Sequence, residues 1–181
     1  KFKNTTFESI TSLSIFDFVY NIKFKDIIFK SNSSLALSSS ASNITFNVTI
    51  FELNSSLVIS SKVTKIKFMF TIFELNSSLV ISSKVTKITF RDTVFGIKFS
   101  LVISSNVPRI AFHDITVKSN SFMNISGNVT ILEFYNTTFT SNSFLYISGN
   151  IKLLKLINTT FESNSSRVIT GTVSKIRSFV H

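Results

Sequence analysis

The sequence predicts an all-β fold: a right-handed parallel β-helix (β-solenoid) of about eight coils with three short parallel sheets. Two observations predict it. Residues 49–68 read TIFELNSSLVISSKVTKIKF, and residues 71–90 repeat them with one change at an offset of 22. Within that unit the apolar residues alternate in short bursts, which marks strands with one buried face. Units of this size bury their apolar faces against one another, so the period fixes the architecture.

The elements of one coil follow in chain order. The first strand is Thr49-x-Phe51, and a corner follows at Asn54. The second strand is Leu57-x-Ile59, and a Ser-Ser corner leads to the third, Val63 with Ile66-x-Phe68. Three strands between corners give a three-sided cross-section. The offset of 22 holds along the chain without an insertion. It stacks Phe7, Phe29, Phe51, Phe73, Phe95, Val117, Phe139 and Phe161 in one column, and Phe24, Phe46, Phe68, Phe90, Phe112, Phe134 and Leu156 in another. A Leu column runs from Leu13 to Leu145 and meets Arg167; others run Ile15 to Ile169, Val19 to Val173 and Ile22 to Ile176. At a rise of about 4.8 Å per coil the stack spans roughly 40 Å.

Other architectures fit poorly. A leucine-rich repeat needs an LxxLxLxxN pattern, and a helical repeat needs a 3.6 period; neither is present. Hexapeptide solenoids favour multiples of six. The composition agrees with strands. Phe contributes 21 residues, Gly only 4 and Pro only 1, which excludes disordered, collagen-like and Pro-rich classes. Cys is absent, so no disulfide framework or thiolate metal site is expected. No uncharged apolar run is long enough for a membrane helix.

Residues 1–181 read as a single uninterrupted solenoid. The chain opens on Lys1-Phe2-Lys3, and no capping pattern is seen at either end. The expectation is an excerpt of a longer solenoid, or a unit whose copies self-associate head to tail along the axis.

The corners carry their own columns. Asn32, Asn54, Asn76, Asn120, Asn142 and Asn164 form a structural Asn ladder, interrupted by Ile10 and Lys98. Stacked Asn side chains can bond along such a column. A second corner reads Ser105, Gly127, Gly149, Gly171, where Gly would permit a positive φ.

The units Phe29–Asn32, Phe51–Asn54, Phe73–Asn76, Phe139–Asn142 and Phe161–Asn164 give an F-x-x-N repeat. This resembles the polymorphic outer membrane protein family of bacterial autotransporter passengers and protist surface proteins. The nearest equivalents of that family's G-G-A-I motif are Ser60-Ser61 and Ser148-Gly149. The resemblance implies a right-handed β-helix displayed on a cell surface, often adhesive.

N-x-S/T sequons point to N-linked glycans and an extracellular chain. The preferred acceptors are Asn4, Asn43, Asn47, Asn124, Asn128, Asn136 and Asn158. Asn32, Asn54, Asn76 and Asn164 are also sequons, but ladder Asn side chains are expected to point inward, where a glycan does not fit.

Catalysis has little to draw on. The chain has 9 acidic residues, and Asp92 and Asp114 are the one candidate carboxylate pair. Their column also holds Asn4, Asp26, Asn136 and Asn158, which reads as a turn column. No enzyme activity, cofactor or metal site is expected, and His113 and His181 are too dispersed for one.

The net charge is +10. Lys65, Lys87, Arg109 and Lys175 share one column and Lys23, Lys67, Lys155 and Arg177 another, forming a basic ridge. Such a ridge keeps stacked sheets soluble, and it also suits acidic polysaccharide. It lacks the interleaved aromatics of nucleic-acid binding. A Ser column (Ser60, Ser82, Ser104, Ser126, Ser148) resembles an ice-binding face, but its neighbours are irregular. The expected function is a structural segment of an extracellular, N-glycosylated fibre or surface coat. The alternative is an adhesin-type module that binds glycans through a sheet face or the basic ridge.

Overall fold

The computed structural model describes residues 1–16, 18–38, 40–60 and 62–179. Ser61 of the Ser60-Ser61 pair and His181 lie outside them. The described residues form strands joined by short turns, with no helix, and thus none long and apolar enough to cross a membrane. In chain order the strands are β1 (Phe2–Phe7), β2 (Ser12–Ile15), β3 (Val19–Phe29), β4 (Ser34–Leu37), β5 (Ala41–Phe51), β6 (Ser56–Ile59), β7 (Val63–Phe73) and β8 (Ser78–Ile81). They continue as β9 (Val85–Phe95), β10 (Ser100–Ile103), β11 (Val107–Val117), β12 (Phe122–Ile125), β13 (Val129–Phe139), β14 (Phe144–Ile147), β15 (Ile151–Phe161), β16 (Ser166–Ile169) and β17 (Ile176–Phe179).

Odd-numbered strands form one sheet and even-numbered strands another. Neighbours are parallel and pair at the repeat offset, as in Phe24 with Phe46 and Leu57 with Leu79. The chain is a β-solenoid of about eight turns.

The structure has two hydrogen-bonded sheets where three were expected. The third strand of one coil and the first strand of the next are one continuous strand of 11 residues, as in β7. That strand is creased rather than cut. Phe70 has φ 49° and drops out of the ladder between the paired residues Met69 and Thr71. Across the crease the buried residues step by three, from Phe68 to Thr71, before alternation resumes at Phe73. The crease gives the larger sheet two faces, so the section keeps three sides with only two ladders.

Two columns of left-handed backbone shape every coil. One is Asn4, Asp26, Val48, Phe70, Asp92, Asp114, Asn136 and Asn158, with φ of 47–56°. The other is Ile10, Asn32, Asn54, Asn76, Lys98, Asn120, Asn142 and Asn164, with φ of 56–64°. Asn and Asp tolerate this region better than other L residues. The Asn ladder is therefore mainly a backbone requirement. Among the described residues a side-chain bond along it joins Asn54 Nδ2 to Asn32 Oδ1 at 3.1 Å.

The Gly corner has a different cause from the one expected. None of the glycines has positive φ. A Cβ on Gly127 would overlap the Ser105 carbonyl, and one on Gly149 the Gly127 carbonyl. Gly is there for close approach between coils, not for left-handed backbone.

The core is built from stacked rings. Phe24, Phe46, Phe68, Phe90, Phe112 and Phe134 lie face to face at 4.7–4.9 Å, within 6° of parallel. All six are fully buried, and each such ring contributes about 1.5–3 kcal/mol by leaving water. The second Phe stack runs beside it at 57–60° to the first over the early coils.

Candidate functional site

Outward residues of the larger sheet carry the basic ridge. Parallel pairing puts Lys65 beside Lys87, and Lys87 beside Arg109. Lys23, Lys65 and Lys67 surround a groove of about 370 Å³ whose floor includes Asn21, Asn43 and Thr45. Thr45 and Asn43 are short, so the coil that carries them forms a trough between the Lys23 and Lys65–Lys67 coils. Asn43 Nδ2 donates to Asn21 Oδ1 at 2.8 Å and holds the floor together.

The ridge is not continuous. Glu133 occupies the column of Lys23, Lys67 and Lys155, and it is buried. Its carboxylate accepts from Arg109 at 3.1 Å and lies 3.8 Å from Lys155 Nζ. One carboxylate thereby engages two of the ridge cations and offsets one of their charges. Lys175 and Arg177 lie beyond this acidic interruption, where Arg177 pairs with Lys155. Glu133 stands a whole number of repeats from Lys67, so its place in the column is legible in the sequence.

Asp92 and Asp114 stack on adjacent coils as their spacing implies, and both are exposed. Both sit in the first left-handed column, where Asp and Asn are favoured by the backbone. Asp114 Oδ1 accepts from Asn136 Nδ2 at 2.9 Å, and Asn136 Oδ1 accepts from Asn158 Nδ2 at 3.1 Å. Asp114 is the foot of a side-chain ladder. His113 lies half-buried, with its ring 5.9 Å from that of Tyr135. Among the described residues no three His, Asp or Glu side chains converge in a way that could hold a metal ion.

The sequons divide differently from expectation. Asn32, Asn54, Asn76 and Asn164 are exposed, not inward. The left-handed φ at each of them turns the side chain outward and sends the following residue in. Asn4, Asn128 and Asn136 are exposed as well. Asn43, Asn47, Asn124 and Asn158 are half-buried, and Asn124 Oδ1 is buried without a hydrogen-bond partner.

The residue that does turn inward is a serine the sequence reading missed. Ser33, Ser55, Ser77, Ser121 and Ser143 are buried. Each hydroxyl donates to a carbonyl of the preceding coil: Ser55 to Lys30 at 3.1 Å, Ser121 to Gly96 at 2.7 Å and Ser143 to Lys118 at 3.0 Å. A second groove of about 600 Å³ follows the corner of Asn106, Asn128 and Asn150. There Asn106 Oδ1 accepts the Asn128 N–H at 2.9 Å and Asn128 Oδ1 the Asn150 N–H at 3.1 Å. These side chains stitch one coil to the next.

Outward residues of the smaller sheet make a charge-free face. It alternates Ser56, Val58, Ser60 and Ser78, Val80, Ser82 on successive coils. Phe122, Phe144 and Tyr146 break that regularity toward the later coils. Comparison with protein-family models, with curated proteins and with solved structures finds nothing that matches this chain.

Proposed function

We propose that the chain is a structural segment of an extracellular, N-glycosylated fibre or surface coat built from stacked solenoid coils. One observation carries the reading. The same cross-section, with the same Phe, Leu and Ile columns, is propagated from coil to coil with no inserted loop. Such a body supplies length and stiffness more readily than a pocket. The exposed corner Asn residues add to it, because glycans there project sideways and leave the stacking axis clear. The F-x-x-N resemblance to surface-displayed β-helices points the same way.

Electron microscopy of native material, with intact mass before and after enzymatic removal of N-glycans, tests the proposal. Rods or a coat layer, together with a loss of mass on deglycosylation, are expected. Isolated particles with unchanged mass would overturn it.

A further inference from the structure

We propose that the outward face centred on Lys23, Lys65, Lys67 and Lys87 binds an acidic polysaccharide.

The first argument is electrostatic. Lys65 and Lys87 are direct partners on adjacent parallel strands, about 4.8 Å apart. Like charges directly opposite one another destabilise a sheet. Arg109 extends the same column but is matched by Glu133. Among the described residues the ion pairs involve Lys25, Lys30, Arg109 and Lys155, and none of the four lysines of this face. The face therefore carries uncompensated repulsion that a bound anion relieves.

The second argument is shape. Lys23, Lys65 and Lys67 line a groove of about 370 Å³ rather than a ridge crest, and Lys87 stands beside Lys65 on the next coil. From the Lys23 coil to the Lys87 coil the charges extend roughly 14 Å along the solenoid axis. That length suits an extended polymer better than a single small anion. The floor between them is amide and hydroxyl, from Asn21, Asn43 and Thr45, which can pair with sugar hydroxyls.

The third argument separates polysaccharide from nucleic acid. No aromatic side chain lines the groove, so there is no platform for base stacking. Asn43 and Thr45 also belong to one sequon, so a glycan on Asn43 and a bound polymer exclude each other. The binding site thus requires Asn43 unmodified.

The test uses the full chain made in a bacterial host, without N-glycans. Affinities are measured for heparin, polygalacturonate, neutral dextran and single- and double-stranded DNA. The two acidic polysaccharides are expected to bind and dextran is not. Raising salt from about 50 to about 200 mM should weaken binding roughly tenfold or more, as released counterions require. The triple variant Lys65→Gln, Lys67→Gln, Lys87→Gln should lose affinity about tenfold or more, and melt no lower than the parent because repulsion is removed. A variant that removes equal charge elsewhere, Lys98→Gln, Lys118→Gln, Lys152→Gln, should stay within about twofold. Equal losses in both variants would reduce the effect to net charge and overturn the site. So would binding of dextran, or DNA bound as tightly as either polysaccharide.

Discussion

The ring of Phe99 lies 5.0 Å from that of Phe73, in the column where the neighbouring coils bury Ser77 and Ser121. Phe99 also stacks on Phe95 at 4.6 Å. The intrusion opens the regular stack: Phe73 and Phe95 stand 5.8 Å apart and 29° from parallel, against 4.8 Å and 4° for Phe51 and Phe73. One coil later the same Phe column holds the smaller Val117, which pairs with Phe95. A large residue enters and a small one follows, so core volume is roughly conserved.

Phe99→Ala should therefore destabilise the chain by about 3–5 kcal/mol through lost burial and a cavity. Phe99→Ser removes similar apolar area but restores the hydroxyl found in the other coils, which there donates to the preceding coil. It should be less damaging than Phe99→Ala by about 1 kcal/mol. Urea titration of both variants measures the difference. If Phe99→Ser were the worse of the two, the hydroxyl would have no acceptor in that coil.

Val48 holds φ 51° in a column otherwise filled mainly by Asn and Asp. A β-branched residue is a poor occupant of left-handed backbone. Its side chain is 46% exposed, so little burial is lost on replacement. Val48→Asn should stabilise the chain by about 1 kcal/mol. Val58 is a useful control, since it is exposed on a strand with ordinary backbone. Val58→Asn should give no gain in melting temperature. Equal shifts for the two variants would mean that polarity, not φ, sets the effect.

Gly149 tests the other corner. Its N–H shares the Ile125 carbonyl with that of Ser148, at 3.3 and 3.1 Å, which draws the corner toward the coil below. Gly149→Ala drives a methyl group into the Gly127 carbonyl. The expected loss is about 1–3 kcal/mol, the range for overpacking. Gly149→Asn should be no better tolerated, because the backbone there is not left-handed. Rescue by Asn in a thermal melt would contradict the steric account.

These positions show what a repeat makes legible. The solenoid follows from residue identity at a fixed offset, because each coil meets the same chemistry above and below. Phe24 above Phe46 needs no structure to be inferred. Backbone sign is harder to read. Asn54 and Ser55 are both polar corner residues in sequence, yet one faces water and the other is buried. The left-handed φ at Asn54 breaks the alternation that the sequence pattern relies on. The same cause hid the joining of two strands into one, since the crease at Phe70 looks like a corner. For the site, the basic columns were readable, but the pairing of Arg109 with Glu133 runs diagonally between columns and needed geometry.

Arg167 enters the column that holds Leu101, Met123 and Leu145 on the preceding coils, all of them fully buried. In β16 it is exposed because no strand of the described residues lies beyond it in the smaller sheet. Any layer seated there, whether further chain or a second copy, would have to enclose a guanidinium beside the Leu145 side chain. Until the added layer brings it a partner, an inward-pointing charge on an edge strand opposes strand addition, since unpaired burial costs more than the edge hydrogen bonds return. Arg167→Leu should remove that barrier and continue the Leu column to the edge. Sedimentation velocity should then show head-to-tail oligomers that grow with protein concentration, while the parent chain associates less at the same concentration. Arg167→Lys keeps the charge and should behave as the parent. If the Leu variant stayed as dispersed as the Lys variant, the inward charge would not be what limits stacking at this edge.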